Sequence, residues 1–341
     1  MVDNDSVVDA DDMQAALRDR LHGMGVPASQ IDDALDELTG QLDDLQDQPP
    51  AGGAADIEET PDDDSQYLMP PPDVAAVEAL LREVRPVSKP FSIQPDPFDI
   101  EDPWEPDEEA EWMSFLAAHP EGFDSLDIVD DLLSIARSHP HSNVHWVRHA
   151  LQEPLLRRAE AIVRHALSEA PEAHLAWPHT ENRPALRSLA RLVSHGLEQG
   201  DDDEAVALAE WLLRLNPSDN HGFRTLVADA RLRAGDDEGV VALADQFPED
   251  MFPELAFGRV LALYRLQRLE DARQALGDAK RRLPKVLRAL TAKRLARPKM
   301  NPPGITLGGD DQAWLYREEM RDVWLATPGA VEWLKAAAKE C

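Results

Sequence analysis

An internal repeat constrains the fold of this 341-residue chain more than any other feature. The ten residues at 200–209, GDDDEAVALA, agree at seven positions with GDDEGVVALA at 235–244, displaced by 35 residues. A fixed period of about 20 to 50 residues is typical of stacked supersecondary units. Each unit is too small to bury its apolar face alone, so it needs a neighbour. The repeat therefore predicts an all-α array of helical hairpins.

A second regularity concerns small residues that precede a helix-ending proline by 12 positions. The pairs are Ala159 and Pro171, Ala205 and Pro217, and Ala272 and Pro284. A small side chain lets two helices approach closely, and proline cannot continue a helix. Because the displacement is close to the tetratricopeptide period of about 34 residues, we predict a tetratricopeptide-like helical-repeat solenoid at 107–297. The first helices of the hairpins are predicted near 185–199, 221–234 and 254–267.

The flanking regions follow from composition. Residues 1–46 have apolar residues at helical spacing around a Gly- and Pro-containing break, which predicts a small acidic helical hairpin. Residues 47–106 form an acidic Pro-rich linker with one short helix near 73–84, and its stretch 47–73 is predicted to be disordered. Residues 298–341 contain a connector and two C-terminal capping helices, near 311–326 and 329–340.

Charge is concentrated in the acidic leader. The formal net charge is -32, and residues 1–130 alone contribute 35 acids and 5 bases. A tail of this kind keeps the chain hydrated or engages a partner. Because its negative charge repels phosphate groups, we do not expect bare nucleic acid as a ligand. The segment 280–299 is basic, and we predict an intramolecular contact of the acidic leader with it. The alternative is a solvated basic helix face.

Cysteine usage and hydropathy bear on location. The one cysteine, Cys341, is the last residue, which excludes an internal disulfide and a four-cysteine zinc site. No basic N-terminal signal occurs, and no apolar run approaches the roughly 18 residues that span a bilayer. These features predict a cytoplasmic protein without a membrane segment.

Three sequence blocks resemble a known family. They are ENRPALR at 181–187, NPSDNHG at 216–222 and TPGAVEWL at 327–334. Together they resemble the tetratricopeptide-like region of the suppressor of tumorigenicity protein family and its soluble bacterial relatives, over roughly the last 160 residues. The resemblance implies a helical-repeat scaffold without an assigned reaction. The membrane segments and the cysteine-rich metal motif of some members are not carried over.

Candidate chemistry is sparse. His145 and His149 stand one helical turn apart, and His141 or His139 could complete a metal site. No HExxH sequence accompanies them, and histidines at a helix start are commoner, so we predict no metal and no cofactor. The candidate partner-binding residues are polar residues at hairpin junctions, which could instead cap helices and bond between repeats. They are Asn182, Arg183, Asn216, Asp219, Asn220 and Arg224.

The sequence therefore favours a non-catalytic protein–protein interaction scaffold that binds a peptide or helix of a partner in the repeat groove, which first-helix residues line. Two alternatives remain open. One is a metal-dependent enzyme that uses the histidine run. The other makes the acidic leader the active part, as a nucleic-acid mimic or a chaperone-like segment.

Overall fold

A computed structural model describes residues 56–59, 66–84, 115–138, 147–300 and 304–340. The described chain is mainly helical, which confirms the predicted all-α fold. It divides into two compact units, Met1–Asn220 (unit 1) and His221–Cys341 (unit 2). The boundary falls inside the range 107–297 that the repeat analysis treats as one solenoid, so each unit is described by itself.

The described part of unit 1 begins with two paired strands. Strands β1 (Asp56–Glu59) and β2 (Gln66–Met69) pair antiparallel, with Asp56 opposite Met69. The prediction that 47–73 is a disordered linker is therefore wrong at these strands. The sequence does not predict the strands, because β2 is stabilised by hydrogen bonds to Asn182, which is distant in sequence, and not by an apolar pattern of its own. Helix α1 (Pro72–Val84) confirms the short helix predicted near 73–84.

Helical hairpins form the rest of unit 1. Its helices are α2 (Leu126–Ser138), α3 (Glu153–Ala166), α4 (Arg183–Gln199) and α5 (Asp202–Leu215), with a π-helix at Val147–Gln152 and 3-10 helices at Pro120–Asp124 and Thr180–Asn182. α4 packs against α2, α3 and α5. A Cβ on Gly196 of α4 would lie 3.2 Å from the Cβ of Ala205 in α5. This close approach explains why a small residue stands at Ala205.

Unit 2 contains two further hairpins and the C-terminal helices. Its helices are α6 (Arg224–Ala234), α7 (Asp237–Gln246), α8 (Pro253–Arg265), α9 (Leu269–Arg282), α10 (Pro284–Thr291), α11 (Asp310–Ala326) and α12 (Ala330–Glu340). The α6–α7 turn uses Gly235 at φ 80°, and the Asp236 side chain caps α7 by accepting from the Gly239 N–H at 3.0 Å. α6 starts three residues later than the predicted 221, because a turn with Gly222 at φ 81° precedes it.

One apolar core runs through unit 2. It includes the fully buried side chains of Phe257 in α8 and of Tyr316 and Trp324 in α11. α11 packs against α6, α8 and α10, and α12 packs against α9, α10 and α11. The two C-terminal helices lie where the sequence predicts helices, and they share this core with the hairpins.

Candidate partner-binding site

Asn182 is a fully buried residue at the entry to α4. Its side-chain oxygen accepts a hydrogen bond from the Leu68 N–H at 3.2 Å. Its amide donates to the carbonyls of Gln66 at 2.9 Å and Ala176 at 3.2 Å. The side chain therefore positions β2 on the start of α4.

The other junction residues of unit 1 also bond within the chain. Arg183 donates to the Trp177 carbonyl at 3.1 Å, and its guanidinium lies 5.3 Å from the centroid of that indole ring. In the turn after α5, the Asn216 amide donates to the Asn220 side chain at 3.2 Å. Asp219 in the same turn is buried and has φ 47°. These contacts resemble capping and inter-repeat bonding.

Arg224 lies in unit 2 at the start of α6. It pairs with Asp250, and its guanidinium lies 5.1 Å from the ring of Phe247 and 5.3 Å from that of Phe252. These contacts fasten α6 to the α7–α8 loop. Five of the six candidate residues belong to unit 1 and Arg224 to unit 2, and their contact with a partner peptide stays a prediction.

Most of the histidine run, residues 139–149, falls outside the described residues. His139, His141 and His145 fall outside the described residues, and of His149 only the backbone, in the π-helix, is described. Among the residues that the structure describes, no group of three or more His, Cys, Asp or Glu side chains could hold a metal ion. Within the same residues, no helix is both long and apolar enough to cross a membrane.

A different cluster lies on the first-helix face of unit 2. This face is formed by α6 and α8, the first helices of the two hairpins, and by α11, which packs on both. Asp229 of α6, Glu254 of α8 and Glu319 of α11 interact electrostatically there, above Tyr316 of α11. We call these four residues the acidic pit. Asp229 is 8% exposed, Glu254 is half-buried and Glu319 is exposed, so the pit opens to solvent at Glu319.

The carboxylates of the pit are not neutralised by nearby bases. Asp229 Oδ1 and Glu254 Oε2 are buried and accept no hydrogen bond from any described residue. Arg233 is the base that interacts with Asp229, but its guanidinium donates to the Asp322 carboxylate at 3.1 Å and to the Glu319 carbonyl at 2.6 Å. Because Arg233 is bonded to these acceptors, it compensates the negative charge of the buried Asp229 only in part.

Burial sets the protonation of the pit. It raises the pKa of Asp229 to about 8, and the neighbouring carboxylates of Glu254 and Glu319 raise the pKa further. Burial likewise raises the pKa of Glu254 to about 7, although a backbone hydrogen bond opposes the change. At neutral pH the pit therefore holds protons that a bound cation would displace.

Tyr316 forms the floor of the pit. Its hydroxyl accepts a hydrogen bond from Trp324 Nε1 at 3.3 Å, and its ring centroid lies 6.4 Å from that of Phe257. Burial raises the pKa of the Tyr316 hydroxyl well above its ordinary value, so it stays neutral. Tyr316 is thus a buried, neutral phenol next to the three acids.

Sequence analysis missed the pit. Asp229 stands in the run LVADARLRA, where the apolar pattern marks Val227, Ala228 and Leu232 as core and leaves Asp229 as an ordinary polar position. Glu254 reads as an acid in the first turn of a helix, where it complements the helix dipole. Only the packing of α11 onto α6 and α8 shows that these acids share one space.

The basic segment 280–299 carries nine bases and no acid. Five of its bases are exposed and have no ionic partner among the described residues; they are Arg288, Lys293, Arg294, Arg297 and Lys299. The buried Arg317 of α11 donates to the carbonyls of Ala289, Ala292 and Lys293, which fixes the backbone here. Contact of this segment with the leader stays a prediction, since most of the leader lies outside the described residues.

One comparison with known proteins gave a match. Residues 142–306 match the family Tcf25, described as transcriptional repressor TCF25. The matched range includes Asp229, Glu254 and the basic segment, while Glu319 and Tyr316 lie beyond it. Two of the three sequence blocks lie within it, 181–187 and 216–222, but the family is not the one those blocks suggested. No curated protein and no solved structure was found to match the chain.

Proposed function

We propose that this protein is a non-catalytic protein–protein interaction scaffold with a regulatory role, which binds a peptide or helix of a partner on the first-helix face of unit 2. The observation that supports this is the acidic pit. A buried carboxylate without a partner costs stability, because burial penalises its charge. Sites that bind a partner commonly retain such a cost, since a rigid, unsatisfied group gains most when the partner arrives.

The fold is suited to this role. Helical hairpins present their first helices side by side, and such faces bind extended peptides or helices. Fold alone does not define function. The acidic pit, and not the repeat, is the feature that favours binding of a partner. The name of the matched family describes a regulator of transcription, which agrees with a role in assembly rather than in catalysis.

Three finer predictions belong to this proposal. The chain is not an enzyme, it acts in the cytoplasm, and its repeats are of the tetratricopeptide type seen in the suppressor of tumorigenicity family. Each is an expectation from the sequence. A reaction catalysed by the purified chain, or a nuclear location of the tagged protein, would contradict the first or the second.

Selection of binding peptides tests the proposal. Random peptides displayed on phage are selected on the full chain, and their affinities are measured for wild type and for Glu319→Trp, which places an indole at the mouth of the pit. We expect affinities at least about tenfold weaker in Glu319→Trp, because the added ring occupies the face. Glu332→Trp on the exposed side of α12 is the matched control. Peptides unaffected by Glu319→Trp, or no selected peptides, would contradict the proposal.

A further inference from the structure

The acidic pit has the features of a receptor for a positive charge. Three helices bring Asp229, Glu254 and Glu319 together. Acids often cluster on helical surfaces without function, so the cluster by itself does not indicate a binding site. The deciding observation is Asp229, which is more than nine-tenths buried, faces the other two carboxylates and accepts no hydrogen bond at Oδ1 from the described chain.

We propose that the acidic pit receives the cationic head of one lysine or arginine side chain from the partner peptide. The inference rests on the proposed function and names the chemistry of its partner. Glu319 stands at the exposed mouth and attracts the charge, Glu254 lies further in, and Asp229 is the deepest acceptor. A basic side chain has a long apolar stem, which suits the neutral Tyr316 floor.

Three bases on the helices that form the pit are bonded elsewhere. Arg233 extends across the mouth to Asp322 and to the backbone of Glu319. Arg259, on α8 with Glu254, pairs with Asp245 at 2.7 Å. Arg317, on α11, bonds to backbone carbonyls around the end of α10. A cation supplied from outside is therefore the natural counter-charge for Asp229 and Glu254.

A metal ion is a weaker candidate for the same space. The described residues contain no group of three or more His, Cys, Asp or Glu side chains arranged to hold one. Lysine and arginine donate directed N–H hydrogen bonds to carboxylates and do not need a closed coordination shell. The step from the exposed Glu319 to the buried Asp229 also favours an extended organic cation.

Binding of such a cation is coupled to proton release. Asp229 and Glu254 carry protons near neutral pH, because burial raises the pKa of each. An ammonium or guanidinium group binds the ionised forms, so each binding event expels protons. Affinity therefore rises as the pH increases from about 6 to about 8 and levels off above it.

Small cations provide a direct test on the full chain. Carboxyl-¹³C-labelled Asp and Glu are titrated by NMR with and without n-butylammonium chloride or n-propylguanidinium chloride, which reproduce the two side-chain heads. We expect the apparent pKa of Asp229 and Glu254 to fall by at least about half a unit. Potassium chloride at equal ionic strength and neutral 1-butanol are the controls, and neither is expected to shift the pair. Glu249→Gln, an exposed acid of the α7–α8 loop, keeps the effect, whereas Asp229→Asn removes it from Glu254.

The selected peptides give a second readout. Replacing the critical lysine of a peptide with norleucine should weaken binding to wild type about 100-fold, and binding to Asp229→Asn by much less. Calorimetry in buffers of different ionisation enthalpy should show proton release at pH 7.5. Because Asp229→Asn keeps the shape of the side chain, its fold is checked by circular dichroism.

The outcomes separate the two proposals. Peptides that lose affinity in Glu319→Trp but tolerate norleucine would overturn the cation site and leave the scaffold function standing. Absence of both effects would overturn both. If calcium chloride alone shifted the two titrations at micromolar concentration while butylammonium did not, the pit would be a metal site and the inference would be wrong.

Discussion

Two buried carboxylates, Asp130 of unit 1 and Asp229 of unit 2, are treated in opposite ways. In unit 1, Asp124 pairs with the buried Arg158, and Asp130 pairs with Arg187 and Arg191. In unit 2, Asp250 likewise pairs with Arg224, whereas Asp229 is buried to a similar extent and its Oδ1 accepts no hydrogen bond from the described residues. One chain thus contains both solutions, so the unpaired acid does not reflect a shortage of arginines. The contrast suggests that the acids of unit 1 hold the fold together and that those of the pit are kept for a ligand.

The largest effect is expected from breaking a pair in unit 1. Arg158→Ala removes the buried guanidinium that pairs with Asp124, which should lower the free energy of unfolding by about 3 to 5 kcal/mol. Urea denaturation followed by circular dichroism measures the change. Arg214→Ala, at an exposed arginine of α5, is the control and should change stability by less than about 0.5 kcal/mol. A loss below 1 kcal/mol in Arg158→Ala would remove the contrast between the units, as about 1 kcal/mol is the size of an exposed pair.

The same substitution in the two units should have opposite signs. Asp229→Asn removes a penalised acid and should raise the free energy of unfolding at pH 8 by on the order of 2 kcal/mol. Asp130→Asn leaves Arg187 and Arg191 facing each other without their carboxylate and should lower it by a similar amount, on the order of 2 kcal/mol. Thermal and urea unfolding of both variants check the signs. Destabilisation by Asp229→Asn would mean that the pit contains a structural contact.

The pH dependence of stability sharpens the comparison. The folded pKa of Asp229, about 8, and of Glu254, about 7, lie above the ordinary values of 3.8 and 4.5. Between these limits the folded state binds more protons than the unfolded state, so stability falls as the pH rises from about 4 to about 8. The groups that face the pair are Glu319 and Tyr316 of α11, Arg233 of α6 and Asp250 of the α7–α8 loop.

Urea midpoints at pH 5.5 and 8.5 measure this slope. The double variant Asp229→Asn/Glu254→Gln should flatten it by on the order of 1 to 2 kcal/mol across the interval. Asp202→Asn, an exposed acid at the start of α5 in unit 1, is the control and should keep the slope. An unchanged slope in the double variant would show that the two carboxyl groups titrate normally.

The smallest effect is expected at an exposed ion pair. Lys285 and Asp310 lie 2.9 Å apart, and their side chains are 46% and 65% exposed. Lys285→Ala should change the free energy of unfolding by less than about 0.5 kcal/mol, because solvent screens the pair. Differential scanning calorimetry at low and high salt measures the change. A larger loss would mean that exposed pairs also support unit 2, which would weaken the comparison with unit 1.

The helices could be predicted because local signals define them. The repeated GDD motif, the Ala–Pro spacing and the apolar faces depend on near neighbours in sequence, and helices occur at these positions. The two paired strands could not, since the hydrogen bond that holds Leu68 comes from Asn182, 114 residues away. The pit was missed for a related reason. No local pattern distinguishes Asp229 from a surface acid until α11 covers it.

The candidate residues at hairpin junctions show the limit of motif reasoning. Polar residues next to helix ends are typical of caps and of binding sites alike. Asn182 and Arg224 turn out to connect separate elements, through β2 and through Asp250 respectively. Their residue types are informative, but no local pattern distinguishes a bond within the chain from a bond to a partner.

The clamp that Arg317 forms on three carbonyls has a consequence for the basic segment. Flexible polycations lose conformational entropy when they bind, and this loss weakens their affinity. Here the backbone of Ala289, Ala292 and Lys293 is already immobilised by a buried guanidinium. An anionic ligand that docks on Arg288, Lys293 and Arg294 would therefore meet side chains that project from fixed backbone positions, and only their rotamers would have to order on binding.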